Sequence, residues 1–460
     1  MATETRSAVD RPGGRASGPQ QQPQAGSSAD VRPSAPGGTA RIVSLDQFRG
    51  YTVAGMFVVN FLGIYSVAHY GLKHNDRFFT WADSIMPSFM FICGVSYRLS
   101  VLRKLTQRGA LKTYAGVVKR SLALVLVSLV MYGFGRHLPG WDEVNAESVK
   151  MFVANILKAD LWEVLSIIGM CQILLIPFVG KSVGVRLAAM IGFSLLHVLI
   201  SGWFNFWFVY GKPVWMDDLF FGLIGRRAWD GGCFGIISWS VPMLAGTLVY
   251  DLLAAKGPAR SIVPLLVSGI LLMGVGYGLS GLSRLYDVRE GATVATYPGP
   301  GPGDYDGPEP PESFADSAFA ASPVIPPFEN AGGRAFTDLL GDPPFLPIPS
   351  PDQRKINYWM MDKRMASQSF MLFATGFGIT LYVVFILACD LGGVAVPLFR
   401  TFGTNALAAY AIHHAVELLV HQVVPKDATV WPVTIGFTVF FVITWMMVRF
   451  LEKNKIFIRL

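Results

Sequence analysis

Apolar residues along this chain gather in runs of about twenty, enough to cross the ~30 Å of a bilayer's hydrocarbon as helices, and polar residues collect between them. The runs fall at 51–68, 84–101, 115–135, 161–179, 183–203, 233–253, 262–282, 367–391, 405–424 and 431–451. The pattern predicts an all-α fold, a polytopic transmembrane helical bundle of about ten spans. The first two runs break the rule that lipid-buried helices avoid polar groups. Ser44 and Gln47 stand in capping-box spacing at the start of the first, and Asp46 and Arg49, three apart, share a helix face. Asn60 lies within the first run, His69 and His74 follow it, and Thr80, Asp83 and Pro87 bracket the entry to the second. Ionisable groups are costly in a membrane, so this density marks a site.

Composition agrees with the pattern, since 52% of residues are hydrophobic and only 15% charged, too apolar a balance for a soluble protein of 460 residues. The net charge of +7 changes the picture only through its placement. Arg98, Arg103, Lys104, Arg108, Lys112, Lys119 and Arg120 follow the second run, five arginines precede the first, and Arg449, Lys453, Lys455 and Arg459 close the chain. The positive-inside rule puts these loops and both termini in the cytoplasm. The basic balance is therefore topological, with no nucleic acid implied, though such a rim also suits an anionic cofactor such as coenzyme A. For Asp46 and Arg49 a structural ion pair at a helix start competes with a phosphate contact by Arg49, and the structural reading is preferred.

Residues 1–40 contain no aromatic and abound in Gly, Pro, Ser, Ala and Gln, which predicts a disordered cytoplasmic tail ahead of a membrane domain spanning 41–460. No signal-peptide pattern follows, so the first span is expected to be retained. The segment 284–366 holds fourteen of the 29 prolines and is expected to be a long Pro/Gly-rich external loop, either an irregular lid or a partly disordered insertion. Cys93, Cys171, Cys233 and Cys389 have no metal-ligand spacing and read as free thiols. His414, Glu417 and His421 share a helix face with His413 alongside. A metal site or proton relay is one reading of that group; a buried hydrogen-bonded cluster is the preferred one, and no metal is expected.

The string SLDQFRGYTVAGMFVVN, followed by a histidine and T-x-x-D-x-x-x-P-x-F-x-F-x-x-G, resembles the opening helices of the heparan-α-glucosaminide N-acetyltransferase family and its bacterial relatives. WDGGCFGIISWSVPMLAG with Asp230 and Ser238, INYWMMDKRMASQSFMLFATG, FGTNALAAYAIHH with Asn405, His413 and His414, and the closing KIFIRL resemble the same family in order. The chain departs from that pattern in lacking Trp-x-Gly after His74 and in carrying Glu163 where relatives commonly have Gln or Arg.

The resemblance implies acetyl transfer across a membrane, from cytoplasmic acetyl-CoA to an amino sugar or glycan on the opposite face, and the retained first span with the bacterial-type spacing from Asn60 to His74 points to a bacterial cytoplasmic membrane. Acetyl-CoA enters as donor substrate, with no permanently bound cofactor. It also implies that His74 is catalytic, with Asn60 near the end of the first helix in support. Asp83 either orients His74 or stabilises a helix start, while Asp46, Arg49, Asp230, Asn405, His413 and His414 contact substrate or support the structure. Expected partners are acetyl-CoA, the acceptor, the bilayer and, as an option, a second copy of the chain. A transporter or export module is the competing reading, because polar residues within spans also line substrate paths. The enzyme is preferred because the polar residues concentrate at one end of the first two spans.

Overall fold

The computed structural model describes residues 42–133, 140–288, 318–348 and 353–458. Its helices are α1 (Val43–Gly63), α2 (Trp81–Arg108), α3 (Ala110–Ser128), α4 (Ala146–Asn155), α5 (Val164–Leu174), α6 (Ile176–Val179), α7 (Val183–Ile200), α8 (Phe206–Val209), α9 (Gly232–Gly281), α10 (Gln368–Phe385), α11 (Pro397–Thr404), α12 (Ala406–His421) and α13 (Val430–Lys453). The sequence expectations for the tail at 1–40 and for 289–317 lie outside the described residues.

Among the described residues six helices are long and apolar enough to cross a membrane: α2, α3 with its π-helical extension, α7 continued through α8, α9, α10 with its extension, and α13. Fewer qualify than the ten apolar runs suggested, for three physical reasons. Helix α1 carries Asp46, Gln47, Arg49 and Asn60, α5 and α12 are shorter, and α9 unites two runs in one 50-residue element. That long helix turns at Gly257, whose φ of 73° is open to glycine but strained for any other residue, with Pro258 just after it.

Helices α2 and α9 approach backbone to backbone through a reciprocal pair of glycines. A Cβ on Gly94 would sit 2.0 Å from the Met243 carbonyl oxygen, and one on Gly246 would sit 2.0 Å from that of Phe91. Such contact maximises dispersion between helices that gain little from the hydrophobic effect in lipid. Helix α9 also packs on α10 and α7, while α1 lies against α2, α11 and α12. The buried core therefore runs along α1, α2, α9 and α10, with Phe48, Phe57, Phe91, Trp239 and Phe370 filling it.

The expected capping box at the start of α1 is not what Ser44 and Gln47 form. The helix opens at Ile42 with no side-chain cap. Ser44 Oγ instead donates to Asp390 Oδ2 at 2.5 Å, and Gln47 Oε1 accepts from the Val396 amide at 3.0 Å. Both side chains are buried, so their polar atoms take tertiary partners and fasten α1 to the chain after α10.

The segment before α10 is irregular but tied down. Ile356 donates to the Ala318 carbonyl at 2.9 Å and Val288 to that of Gln353 at 2.8 Å, and Arg354 pairs with Asp287 at 2.5 Å and with Asp342. Its last turn reaches the start of α9, where the Gly231 amide donates to the Arg364 carbonyl at 2.7 Å.

Candidate active site

The loop from α1 to α2 closes on a reciprocal cap. Thr80 is the N-cap of α2, and its Oγ1 accepts from the Asp83 amide at 3.2 Å while Asp83 Oδ2 accepts from the Thr80 amide at 3.2 Å. This fixes one oxygen of the fully buried Asp83 and leaves the other for His74, whose Nδ1 lies 2.8 Å from Oδ1. The carboxylate therefore both caps the helix and orients the histidine. Since a carboxylate only accepts, Nδ1 carries the hydrogen and Nε2 is the basic nitrogen of the ring. His74 remains 17% exposed. Pro87 lies inside α2, which runs through it unbroken. His69 has a local duty: its Nδ1 accepts from the Gly71 amide at 3.1 Å in an exposed turn.

A buried set of ion pairs surrounds this end of the bundle. Lys363 Nζ lies 2.9 Å from Asp230 Oδ1, and Arg364 Nε lies 2.9 Å from Asp76 Oδ2 with its guanidinium 3.6 Å from the centre of the Trp229 ring. Burial alone would lower the Lys363 pKa, but Asp230, then Asp83 and Glu163, hold it above its ordinary value. The same balance keeps Asp76 ionised: burial raises its pKa, and Arg364 more than offsets this to leave it depressed. Asp362 goes the other way. Burial, with the neighbouring Asp76 charge, pushes it up to about 8, and it accepts from the Tyr210 hydroxyl and, at 3.1 Å, from the Met365 amide. Glu163, the half-buried N-cap of α5, feels Asp230 and Lys363 electrostatically.

Sequence reading took Asp230 only from a resemblance and overlooked Asp76, Tyr210, Asp362, Lys363 and Arg364. Their signal was the charged triplet Asp362–Lys363–Arg364 within an apolar stretch before α10.

Asn60 sits in a second polar knot. Its Nδ2 is 3.2 Å from His413 Nε2, while His413 Nδ1 is 2.5 Å from the Tyr410 carbonyl. A carbonyl only accepts, so Nδ1 carries the proton and Nε2 accepts one amide hydrogen of Asn60. The His413 ring stacks on Phe57 at 4.6 Å, and Glu417 lies 3.9 Å from Nε2. His414 packs on Tyr132 at 4.4 Å, and His421 on Phe61 at 4.8 Å. No group of three or more His, Cys, Asp or Glu that could hold a metal occurs among the described residues.

The remaining expected site residues lie elsewhere. Asp46 and Arg49 are 3.7 Å apart, with Arg49 donating to Ser96 Oγ at 2.7 Å and to the Gly403 carbonyl at 3.3 Å. Helical rise sets Arg49 about 16 Å along α1 from Asn60. Asn405 anchors the end of the chain, donating to the Ile456 carbonyl at 2.9 Å and accepting from the Ile458 amide at 3.1 Å. The four cysteines are free.

A histidine–carboxylate pair set among buried ion pairs, in a bundle with several helices long and apolar enough to cross a bilayer, belongs to an integral membrane protein. Residues 41–275, just over half of the chain, match the model of the heparan-alpha-glucosaminide N-acetyltransferase catalytic family. The chain belongs to that family, a family of membrane acetyltransferases. No curated protein sequence matches it. The matched stretch contains Asn60, His74, Asp83, Glu163 and Asp230 and ends before Asp362, Lys363 and Arg364.

Proposed function

We propose that this protein is an acyl-CoA-dependent transmembrane N-acetyltransferase that moves an acetyl group from cytoplasmic acetyl-CoA to an amino sugar or related glycan on the other face of the membrane. The observation that carries the reading is the His74–Asp83 contact of 2.8 Å, which fixes the hydrogen on Nδ1 and makes Nε2 the basic nitrogen of the ring. Family membership supplies the transferase class, and the alternation of basic and acidic loops supports both termini inside, the His74 loop outside and about ten crossings.

Acetyl-CoA is charged and cannot traverse lipid, so its phosphates stay at the inner rim while the pantetheine arm extends between helices. An acceptor ammonium first sheds one proton to water. The amine then attacks the thioester carbonyl, forming the N–C bond. Nε2 takes the second proton from nitrogen and returns it to sulfur as the C–S bond breaks, giving amide, thiol and one released proton. Asn60, with one amide hydrogen given to His413, keeps a second for the oxyanion.

The test is transfer from labelled acetyl-CoA to a panel of amino sugars by purified protein. His74→Ala is expected to abolish transfer and preserve acetyl-CoA binding. Full turnover in that variant would remove His74 from the chemistry.

A further inference from the structure

Away from the histidine, a cleft of about 560 Å³ opens between α7 and the segment 321–326, within the range of about 300–1,000 Å³ usual for ligand sites. Val198, Leu199, Gly202, Trp207, Val324 and Trp359 line it, and none of its lining residues is charged. Its depth follows from α7. Arg186, in the first turn of that helix, shares Asp251 with Arg98, which ties the start of α7 to the basic end of the bundle. Residues 198–202 then lie ~22–29 Å along the helix, at the far edge of ~30 Å of hydrocarbon. Trp203, 70% exposed, and the exposed Trp215 stand there with ring centroids 5.4 Å apart, as tryptophans do where lipid meets water. Leu195 and Leu199, both exposed, carry the lipid-facing side of α7 into the cleft.

The wall opposite α7 has a backbone suited to lipid. Pro323, Pro326 and Pro327 have no N–H to satisfy. Three successive carbonyls are taken: Ser322 accepts from the Tyr286 hydroxyl at 2.9 Å, Pro323 from the Tyr358 amide at 3.0 Å and Val324 from Trp359 Nε1 at 2.8 Å. Irregular backbone at membrane depth needs such internal partners. The same wall leads to the His74 loop. Met360 joins Phe78 and Ile348 in one small apolar cluster. Arg364, five residues past Trp359 and so at most ~18 Å from it along the chain, pairs with Asp76, two positions from His74.

We propose that the cleft holds the hydrocarbon chain of a lipid-anchored acceptor, so that the amino sugar reaches His74 as the headgroup of a membrane lipid diffusing within the bilayer. This rests on the transferase reading above and deepens it by naming the class of acceptor. An open apolar cleft at that depth fills with hydrocarbon, because the surrounding solvent is lipid and no charge lines the cleft to hold an ion. A chain seated there leaves its headgroup at the membrane surface, beside the stretch that runs from Trp359 to the Arg364–Asp76 pair. Such a tether raises the local concentration of the sugar without any new contact to it.

The experiment is photolabelling of the purified full chain in nanodiscs by hexadecyl glucosaminide with a diazirine at its chain end, against a diazirine phosphatidylcholine at the same mole fraction. The glucosaminide is expected to label 198–202 and 324–326 about ten-fold more than the phospholipid does. Gly202→Phe fills the cleft from a position where a Cβ meets Val324 at an ordinary 3.6 Å, and Leu199→Trp fills it from an exposed lining position. Each should remove the labelling with the melting temperature unchanged. No labelling of the cleft, equal labelling by both lipids, or labelling kept in both folded variants overturns the proposal; equal labelling marks a site for ordinary lipid. Acetyl transfer to hexadecyl and to methyl glucosaminide is measured on the same samples. Both variants should raise KM for the hexadecyl compound by about ten-fold, keep its kcat and leave the methyl compound unaffected. Transfer to both sugars without labelling sinks the cleft alone, whereas the expected labelling without any transfer sinks the enzymatic reading and leaves the lipid site standing.

Discussion

Asp83 divides its two oxygens between a helix start and a histidine, and that division dictates what an isosteric change will do. In Asp83→Asn the oxygen is drawn to the Thr80 amide, so the amide nitrogen faces His74 and donates to Nδ1. The imidazole must then carry its hydrogen on Nε2, where the base should be. We expect acetyl transfer to fall by ~10²–10⁴-fold with the α2 cap, and hence the melting temperature, nearly intact. An unchanged rate would show that the tautomer of His74 is irrelevant to turnover. Asn60 invites a different test, because truncating it removes the proposed oxyanion donor and also strands His413 Nε2 in a buried site. Asn60→Ala should lower the maximal rate by ~10²-fold and cost about 1–3 kcal/mol of stability. Adding His413→Phe should recover the stability and leave the rate low, as paired melting and rate measurements will reveal. At this scale the sequence was legible where partners are close along the chain: His74 and Asp83 lie nine apart, within one motif. It misled at Ser44, because the hydroxyl's true partner, Asp390, is 346 positions away and local spacing offered a plausible substitute.

Among the elements, the stretch from Arg354 to Ser367 shows how a loop without regular structure gains rigidity from buried charge. Asp362 is the member of this stretch that responds to pH. Its folded-state pKa of about 8 stands above the ordinary 3.8, so across that window the folded chain keeps a proton that the unfolded chain has released. Stability attributable to Asp362 is therefore present at the acid end and declines as pH rises through the window. Asp76, depressed by Arg364, contributes its own dependence only below 3.8, outside that range. Asp362→Asn should flatten the slope of melting temperature between about pH 5 and 8, and thermal melts across that range will check it; a slope unaltered by the change would assign the dependence to other groups. Helix positions were readable from hydropathy because α2, α3, α7, α10 and α13 each satisfy their length and composition limits. The role of Lys363 and Arg364 was not, since their partners Asp230 and Asp76 come from the turn before α9 and the first loop and only the folded chain brings them together.

For the whole molecule, the distribution of charge predicts a sidedness that labelling can measure. Leu111, 84% exposed, follows the basic stretch after α2, and Ile325, 71% exposed, lies in the segment before α10. With the four native cysteines replaced by serine, a cysteine at 111 is expected to react with membrane-impermeant maleimide only from the cytoplasmic side and one at 325 only from the other. The reverse pattern would invert the topology and place His74 on the side that holds acetyl-CoA. The all-helical class was open to sequence reading because lipid permits so few backbone solutions, whereas the grouping of the helices depended on backbone contacts such as Gly94 against Gly246, which no hydropathy pattern encodes.

The tie between Lys363 and Asp230, made across 133 positions of sequence, has a bearing on biosynthesis. When a ribosome has delivered α9, the nascent chain already holds His74 and both aspartates, yet the two cations that form the ion pairs with Asp76 and Asp230 remain unmade. A product stopped there would carry bare carboxylates at the edge of the lipid, an ill-matched intermediate for quality-control proteases to find. Emergence of the residues after α9 is thus the event that completes the two buried ion pairs and lets this end of the bundle close.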